Sequence, residues 1–157
     1  MQADELARHL DSAYARLARR RFVRRWATVA NRVEMSPEER LMLFSILLVE
    51  CSARPRPARA LEWTCVALAG VLPGVGGRQR ATRTLGAFQQ RGAPFRKREA
   101  VLAALQHLRA SDAPTLDRAT VARRWNGPSA GQGRPLSYIR ALALAEGHTA
   151  LLLTDQR

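Results

Sequence analysis

The sequence is poor in lysine, cysteine and histidine, and it has no long apolar run. Lys97 is the only lysine among 26 Lys+Arg, so nearly all of the positive charge is arginine. The two cysteines and three histidines lie far apart and show no metal-ligand spacing and no disulfide framework. The longest apolar run is about half of the roughly 20 residues that a membrane span needs. We therefore predict no metal site, no other cofactor and no transmembrane segment.

The two cysteines, Cys51 and Cys65, leave two interpretations open. They would pair in an oxidising compartment if the helices that carry them face each other. Alternatively, both are small buried apolar side chains, which is the interpretation we favour because free cysteine is commonly buried.

Length and composition predict one compact domain over residues 1–157. The chain is 46% hydrophobic, which supplies a real core and argues against wholesale disorder. The first five residues are acidic and lack the apolar segment of a secretory signal. We therefore expect a cytoplasmic protein, or one that reaches the cell envelope or periplasm by a route that the sequence does not identify.

The net charge of +13 predicts attraction to polyanions, which include nucleic acid, anionic lipid and acidic cell-wall polymers. Residues 4–33 have the apolar periodicity of one long helix, with a break near Arg21. Its opposite face is basic, and that face either binds a polyanion or is simply solvated, with arginine stems that cover the edge of the core. We favour the solvated face, because no groove-reading motif accompanies the charge. The arginines of this face are Arg16, Arg19, Arg20, Arg24 and Arg25.

The rest of the chain reads as helices separated by turns. Ser36 is a helix cap, Pro37 suits the first helical position, and Glu39 completes a capping box. We predict a mainly α fold with at most a small β-hairpin near residues 80–90. In this organisation a basic N-terminal helix, residues 1–35, packs on a core formed by residues 36–147. Further helices are predicted over 58–70, 94–109, 115–125 and 137–147, the last of them capped by Ser137 and ended by Gly147.

Glu50 is the most unusual residue of the apolar stretch 41–52, in which nearly every earlier side chain is apolar. A buried carboxyl group is hard to ionise, and burial raises its pKa toward the range that suits a general acid. Glu50 is therefore a candidate catalytic acid. The alternative is an ion pair between Glu50 and an arginine where the helix reaches the surface.

Three short motifs occur in order along the chain. The first is Glu50-Cys51-Ser52 at the end of the apolar helix, and the second is Leu85-Gly86-Ala87-Phe88-Gln89. The third is Val121-Ala122-Arg123-Arg124-Trp125-Asn126-Gly127, with Tyr138 beyond it. Together they resemble the lytic transglycosylase and goose-type lysozyme family over roughly residues 36–145. Cys51 stands where that family usually has Ser, and Trp125 stands where it usually has Tyr.

The resemblance implies a lysozyme-like single domain that cleaves the glycan strands of peptidoglycan. Glu50 would be the single acid/base, and the N-acetyl group and 6-hydroxyl of the sugar would act as nucleophiles to give a 1,6-anhydro product. Gly86 and Gln89 would line the groove beside the N-acetyl group, Asn126 would lie near the scissile sugar, and Tyr138 would hydrogen-bond close to Glu50. The implied substrate-binding residues are Ser52, Gly86, Phe88, Gln89, Trp125, Asn126 and Tyr138.

Two other functions remain open from the sequence. One is a lysozyme-like scaffold without activity, which binds a glycan or a protein partner. The other is a basic helical protein that binds nucleic acid through the arginine-rich segments 16–25 and 78–98. For an active enzyme, the expected partners are peptidoglycan strands and a secretion or phage assembly that delivers it to the wall.

Overall fold

The computed structural model describes residues 3–53, 84–85, 88, 90–91, 96–110, 116–126 and 137–153. This part of the chain is mainly helical, which confirms that the fold is mainly α. The predicted helix over 58–70 lies outside the described residues. The helices, numbered here in chain order, are α1 (Ala3–Ala18), α2 (Arg21–Asn31), α3 (Pro37–Ala53), α4 (Lys97–Arg109), α5 (Arg118–Asn126), α6 (Tyr138–Glu146) and α7 (Ala150–Leu153).

Helix α3 lies at the centre of the fold. Its side chains from Met42 to Cys51 are all buried, so no face of this part of the helix meets solvent. A helix that is apolar all round needs neighbours on every side. Helices α1, α2, α4 and α6 supply them, so elements from both ends of the chain pack on α3.

The start of α3 is a capping box, as the sequence predicts. Pro37 is the first helical residue. The backbone N–H of Glu39 donates to Oγ of Ser36 (3.1 Å), and the N–H of Ser36 donates to Oε2 of Glu39 (2.7 Å). Two backbone donors that the helix itself leaves without partners are thereby satisfied.

The N-terminal region is two helices, so the single basic helix predicted over residues 1–35 needs correction. The predicted break near Arg21 is real: α1 ends at Ala18 and α2 begins at Arg21. The N–H of Arg20 donates to the Leu17 carbonyl, which closes a turn between the two helices. Tyr14 and Trp26 are buried in the same cluster as α3, so both helices belong to the central core.

The boundaries of the later helices differ from the prediction by a few residues. Asp117 caps α5 through the N–H of Thr120 (2.8 Å), so this helix begins at Arg118 rather than at residue 115 or 116. Ser137 caps α6 as predicted, since its side chain accepts from the N–H of Arg140. This helix was expected to be the last one. A short turn after Gly147 instead leads into α7, whose Leu152 is buried in the core.

A small antiparallel hairpin lies close to the predicted position. Strand β1 (Thr84–Leu85) pairs with strand β2 (Gln90–Arg91), with Thr84 opposite Arg91 and Leu85 opposite Gln90. Each strand has two residues, and Phe88, which lies between the strands, packs in the core.

Ion pairs join helices that are far apart in sequence. Arg109 in α4 binds the carboxylate of Glu39 in α3 through two nitrogens, at 2.6 and 3.0 Å. This hydrogen-bonded pair is the main reason that the pKa of Glu39 is lowered, and it outweighs the opposing effect of burial. Among the described helices, none is long and apolar enough to cross a membrane.

We predict that Glu39→Gln lowers the free energy of unfolding by about 1–2 kcal/mol at neutral pH, because it weakens the pair with Arg109 and the capping box. A lowered folded pKa contributes stability above the unfolded pKa, and that contribution disappears as the pH falls through the folded pKa. The difference in unfolding free energy between the wild type and the variant should therefore become smaller at acidic pH. Urea denaturation at neutral pH and below pH 4 measures this difference, with Glu5→Gln, a change at an exposed position of α1, as control. A difference that does not change with pH would contradict the assignment.

Candidate active site

Helix α3 reaches the surface of the core at Glu50. The residues from Leu43 to Leu48 have no exposure at all. Val49 and Cys51 are then 5% exposed and Glu50 is 9% exposed. The apolar part of the helix thus ends in a buried glutamate that keeps a small exposed fraction.

Tyr138 holds this carboxyl group from a distant part of the sequence. Its hydroxyl donates to Oε1 of Glu50 at 2.8 Å, and both side chains are buried. Tyr138 is the first residue of α6, and the Ser137 cap fixes where that helix begins. The structure therefore brings together the predicted acid and the tyrosine that the sequence analysis assigned to it.

Tyr14 of α1 is a third member of this cluster. Burial raises the pKa of Tyr14; a hydrogen bond with Ser52 opposes this, and the charge of Glu50 adds to the increase. The Ser52 hydroxyl also donates to the Val49 carbonyl at 2.8 Å. Tyr14 of the N-terminal helix therefore interacts with two residues of the predicted motif, Glu50 and Ser52.

The family resemblance begins near residue 36, so it assigns no role to Tyr14. One signal was present. Tyr14 lies on the apolar stripe of α1 with Leu10 and Leu17, where its hydroxyl is the polar atom among aliphatic side chains. A buried phenol needs a hydrogen-bonding partner, which predicts a polar group opposite this position.

The second and third motifs are in direct contact. The indole N–H of Trp125 in α5 donates to the backbone carbonyl of Phe88 at 3.0 Å. The Phe88 ring packs edge-on against Trp26 of α2, with ring centroids 5.8 Å apart. Phe88 is only 2% exposed, so its geometry supports a role in positioning the hairpin rather than in touching a glycan.

Two side chains of α4 contact the same two tryptophans. His107 of α4 packs edge-on against Trp125, with centroids 5.1 Å apart, and Nζ of Lys97 lies 6.0 Å from the Trp26 ring. The hairpin is thereby tied to α2, α4 and α5. Of the remaining predicted site residues, Asn126 is the last residue of α5, whereas Gly86 and Gln89 lie outside the described residues.

A second buried carboxylate lies at the other end of α3. Glu39 precedes Glu50 by eleven residues, which corresponds to about 16 Å along a helix. A cavity of about 820 Å³ opens beside Glu39, between the connection from α2 to α3 and helix α4. Because Arg109 already binds Glu39 through two nitrogens, we assign the candidate acid to Glu50 and not to this cavity.

No cofactor site is evident in the part of the chain that the structure describes. Within it, no three His, Cys, Asp or Glu side chains are grouped so as to hold a metal ion. Cys51 is buried beside Glu50, and Cys65 is not among the described residues.

Comparisons with known proteins give no further assignment. No protein-family model matches the chain, and neither the curated proteins nor the solved structures contain a match to it. We therefore infer the function from the residues of this chain and their contacts.

We predict that Tyr14→Phe makes stability less sensitive to alkaline pH. The folded pKa of Tyr14 is raised, so its neutral form contributes stability below the unfolded pKa near 10, and this contribution is lost as the pH rises through the folded pKa. Between pH 9 and pH 11, urea denaturation should show a smaller loss of unfolding free energy in the variant than in the wild type. Equal losses would mean that the Tyr14 phenol is not held in the core.

We also predict energetic coupling between Glu50 and Tyr138. In a double-mutant cycle of Glu50→Gln and Tyr138→Phe, the coupling free energy should be about 1–2 kcal/mol, since the two side chains share a buried hydrogen bond. The same cycle made with Glu39→Gln in place of Glu50→Gln is the control and should give additive effects. Additivity in the first cycle would rule out the bond.

Proposed function

We propose that this protein cleaves the glycan strands of peptidoglycan, with Glu50 as the single acid/base. The observation that carries the proposal is the buried Glu50 that accepts a hydrogen bond from Tyr138, a residue that lies 88 positions later in the chain. The arrangement matches the roles that the family resemblance assigns to these two residues.

The surroundings of Glu50 suit a general acid. Cleavage of a glycosidic bond needs a proton on the leaving oxygen, and a carboxyl group held beside the glycan can deliver it. Glu50 is 9% exposed, so the residue is not completely enclosed by the core. The Tyr138 hydroxyl fixes one carboxyl oxygen and limits its rotation.

The proposed reaction has two steps. In the first, Glu50 gives its proton to the glycosidic oxygen as the bond to the anomeric carbon breaks, and the carbonyl oxygen of the N-acetyl group bonds to that carbon. In the second, the 6-hydroxyl oxygen displaces the acetamido oxygen, and Glu50 takes the hydroxyl proton. The product carries a 1,6-anhydro ring, and Glu50 is protonated again.

Glu39 is too far from Glu50 to serve as a second catalytic carboxylate. Glycosidases with two carboxylates place them about 5–9.5 Å apart. Glu39 is about 16 Å from Glu50 along α3 and is held by Arg109. These two buried carboxylates therefore do not form an acid and nucleophile pair.

The remaining substrate contacts belong to the groove that the resemblance implies. Trp125 links the hairpin to α5, so it would set the position of Gly86 and Gln89 relative to the scissile sugar. Ser52 and Asn126 complete the proposed polar contacts with the sugar. The basic surface of the protein would hold it on an anionic wall polymer.

Digestion of purified peptidoglycan with mass analysis of the products tests the proposal. We expect anhydro-muropeptides from the wild type, and a loss of rate of about 10²–10⁴-fold in Glu50→Gln. Tyr138→Phe should lose about tenfold, which corresponds to one hydrogen bond of about 1.4 kcal/mol.

The matched control is Glu39→Gln, which neutralises the other buried carboxylate of α3 and should keep its activity wherever it is folded. Products with reducing ends that depend on Glu50 would indicate hydrolysis instead of transglycosylation. A folded wild type that binds the wall and releases nothing would favour the inactive scaffold and overturn the proposed activity.

A further inference from the structure

The junction between α1 and α2 concentrates positive charge on the surface. We define the basic elbow as five arginines within residues 16–25 that are all exposed. Between Asp11 and Glu34 the sequence contains no acidic residue. The five residues of the basic elbow are Arg16, Arg19, Arg20, Arg21 and Arg25.

The arginines of the basic elbow are not used to hold the fold together. Other exposed cations do form ion pairs: Arg118 binds Glu146 at 2.6 Å, and Arg140 binds Asp4 at 3.1 Å. Among the described residues, no carboxylate lies within ion-pair distance of any arginine of the elbow. Their charge is therefore available to a partner.

The helix that contains part of the elbow gains no stability from this charge. Helix α2 begins at Arg21, its first turn has no acidic residue, and the preceding Arg20 makes no side-chain cap. Positive charge in the first turn of a helix is unfavourable because the N-terminal end of the helix dipole is positive. The stability of α2 therefore does not account for Arg20 and Arg21, whereas Arg16 lies in the last turn of α1, where positive charge is favourable.

We propose that the basic elbow binds the phosphate backbone of nucleic acid without reading the base sequence. This function goes beyond the proposed glycan cleavage and does not depend on it. The spacing of charge favours this partner. Five guanidinium groups lie within ten residues, at the adjoining ends of α1 and α2 and in the turn between them, so the positive charge is dense. A nucleic-acid strand is a densely charged polyanion, with one phosphate per about 3.4 Å.

The two other polyanions fit the elbow less well. A peptidoglycan strand carries its carboxylates on peptides spaced along the sugars, so its charge is less dense. A helix that lies on a membrane needs its apolar face for the lipid. In α2 that face, with Val23, Trp26 and Ala30, is buried in the core and is not available to a membrane.

Fluorescence anisotropy with a labelled DNA duplex, measured over a series of salt concentrations, tests the proposal. We compare the wild type with two variants, each of which replaces four exposed arginines by Gln. The elbow variant changes Arg16, Arg19, Arg20 and Arg25. The control variant changes Arg8, Arg32, Arg98 and Arg123, which are exposed and lie outside the elbow. Both variants lose the same net charge, and Gln keeps a helix propensity close to that of Arg.

For the wild type, we expect the logarithm of the association constant to fall linearly with the logarithm of the salt concentration. In the elbow variant this slope should become less steep by about three to four, since each lost phosphate contact removes about 0.9 from it. The control variant should keep most of the wild-type slope. An unlabelled duplex of unrelated sequence should compete as well as the labelled sequence does.

Three results would overturn the proposal. An equal loss of DNA affinity in both variants would mean that net charge alone drives binding. Stronger competition by phosphatidylserine vesicles than by DNA at equal anionic charge would assign the elbow to lipid. Unequal competition by the two duplexes would show that base sequence is read. Circular dichroism and the urea midpoint of each variant establish that any loss of binding is not a loss of fold.

Discussion

The burial of α3 on all sides is the constraint on which the rest of the structure depends. From Met42 to Cys51 every side chain is buried, and this requires neighbours around the whole helix. Helices α1, α2, α4 and α6 supply these contacts. Because α1 and α6 come from opposite ends of the chain, enclosing α3 also brings Tyr14 and Tyr138 to Glu50.

The two buried carboxyl groups of α3, those of Glu39 and Glu50, lie near opposite ends of its enclosed part. Near the N-terminal end, Glu39 is neutralised by Arg109 and closes the capping box with Ser36. Near the C-terminal end, Glu50 accepts from Tyr138. Both carboxylates are buried at a free-energy cost that hydrogen bonds offset. The first arrangement is a charged pair that stabilises the fold, and the second holds the carboxyl group that we propose as the catalytic acid.

Positive charge is separated from this core. The exposed arginines of the basic elbow lie on α1, on α2 and in the turn between them, and the other faces of these two helices, with Tyr14 and Trp26, are buried against the rest of the protein. The same two helices thus pack against α3, which carries the proposed acid, on one side and present exposed arginines on the other. Glycan cleavage and nucleic-acid binding, as we propose them, use different residues and can be tested separately.

The sequence by itself determined the mainly α fold, the capping box at Ser36, the cap at Ser137 and the break near Arg21. Each of these depends on residues within about one helical turn, where spacing and capping chemistry are sufficient. The tertiary structure decided what lies beside Glu50. Apolar periodicity shows that Tyr14 faces a core, but it does not show which helix lies opposite, because contacts between distant segments depend on how all the helices pack together.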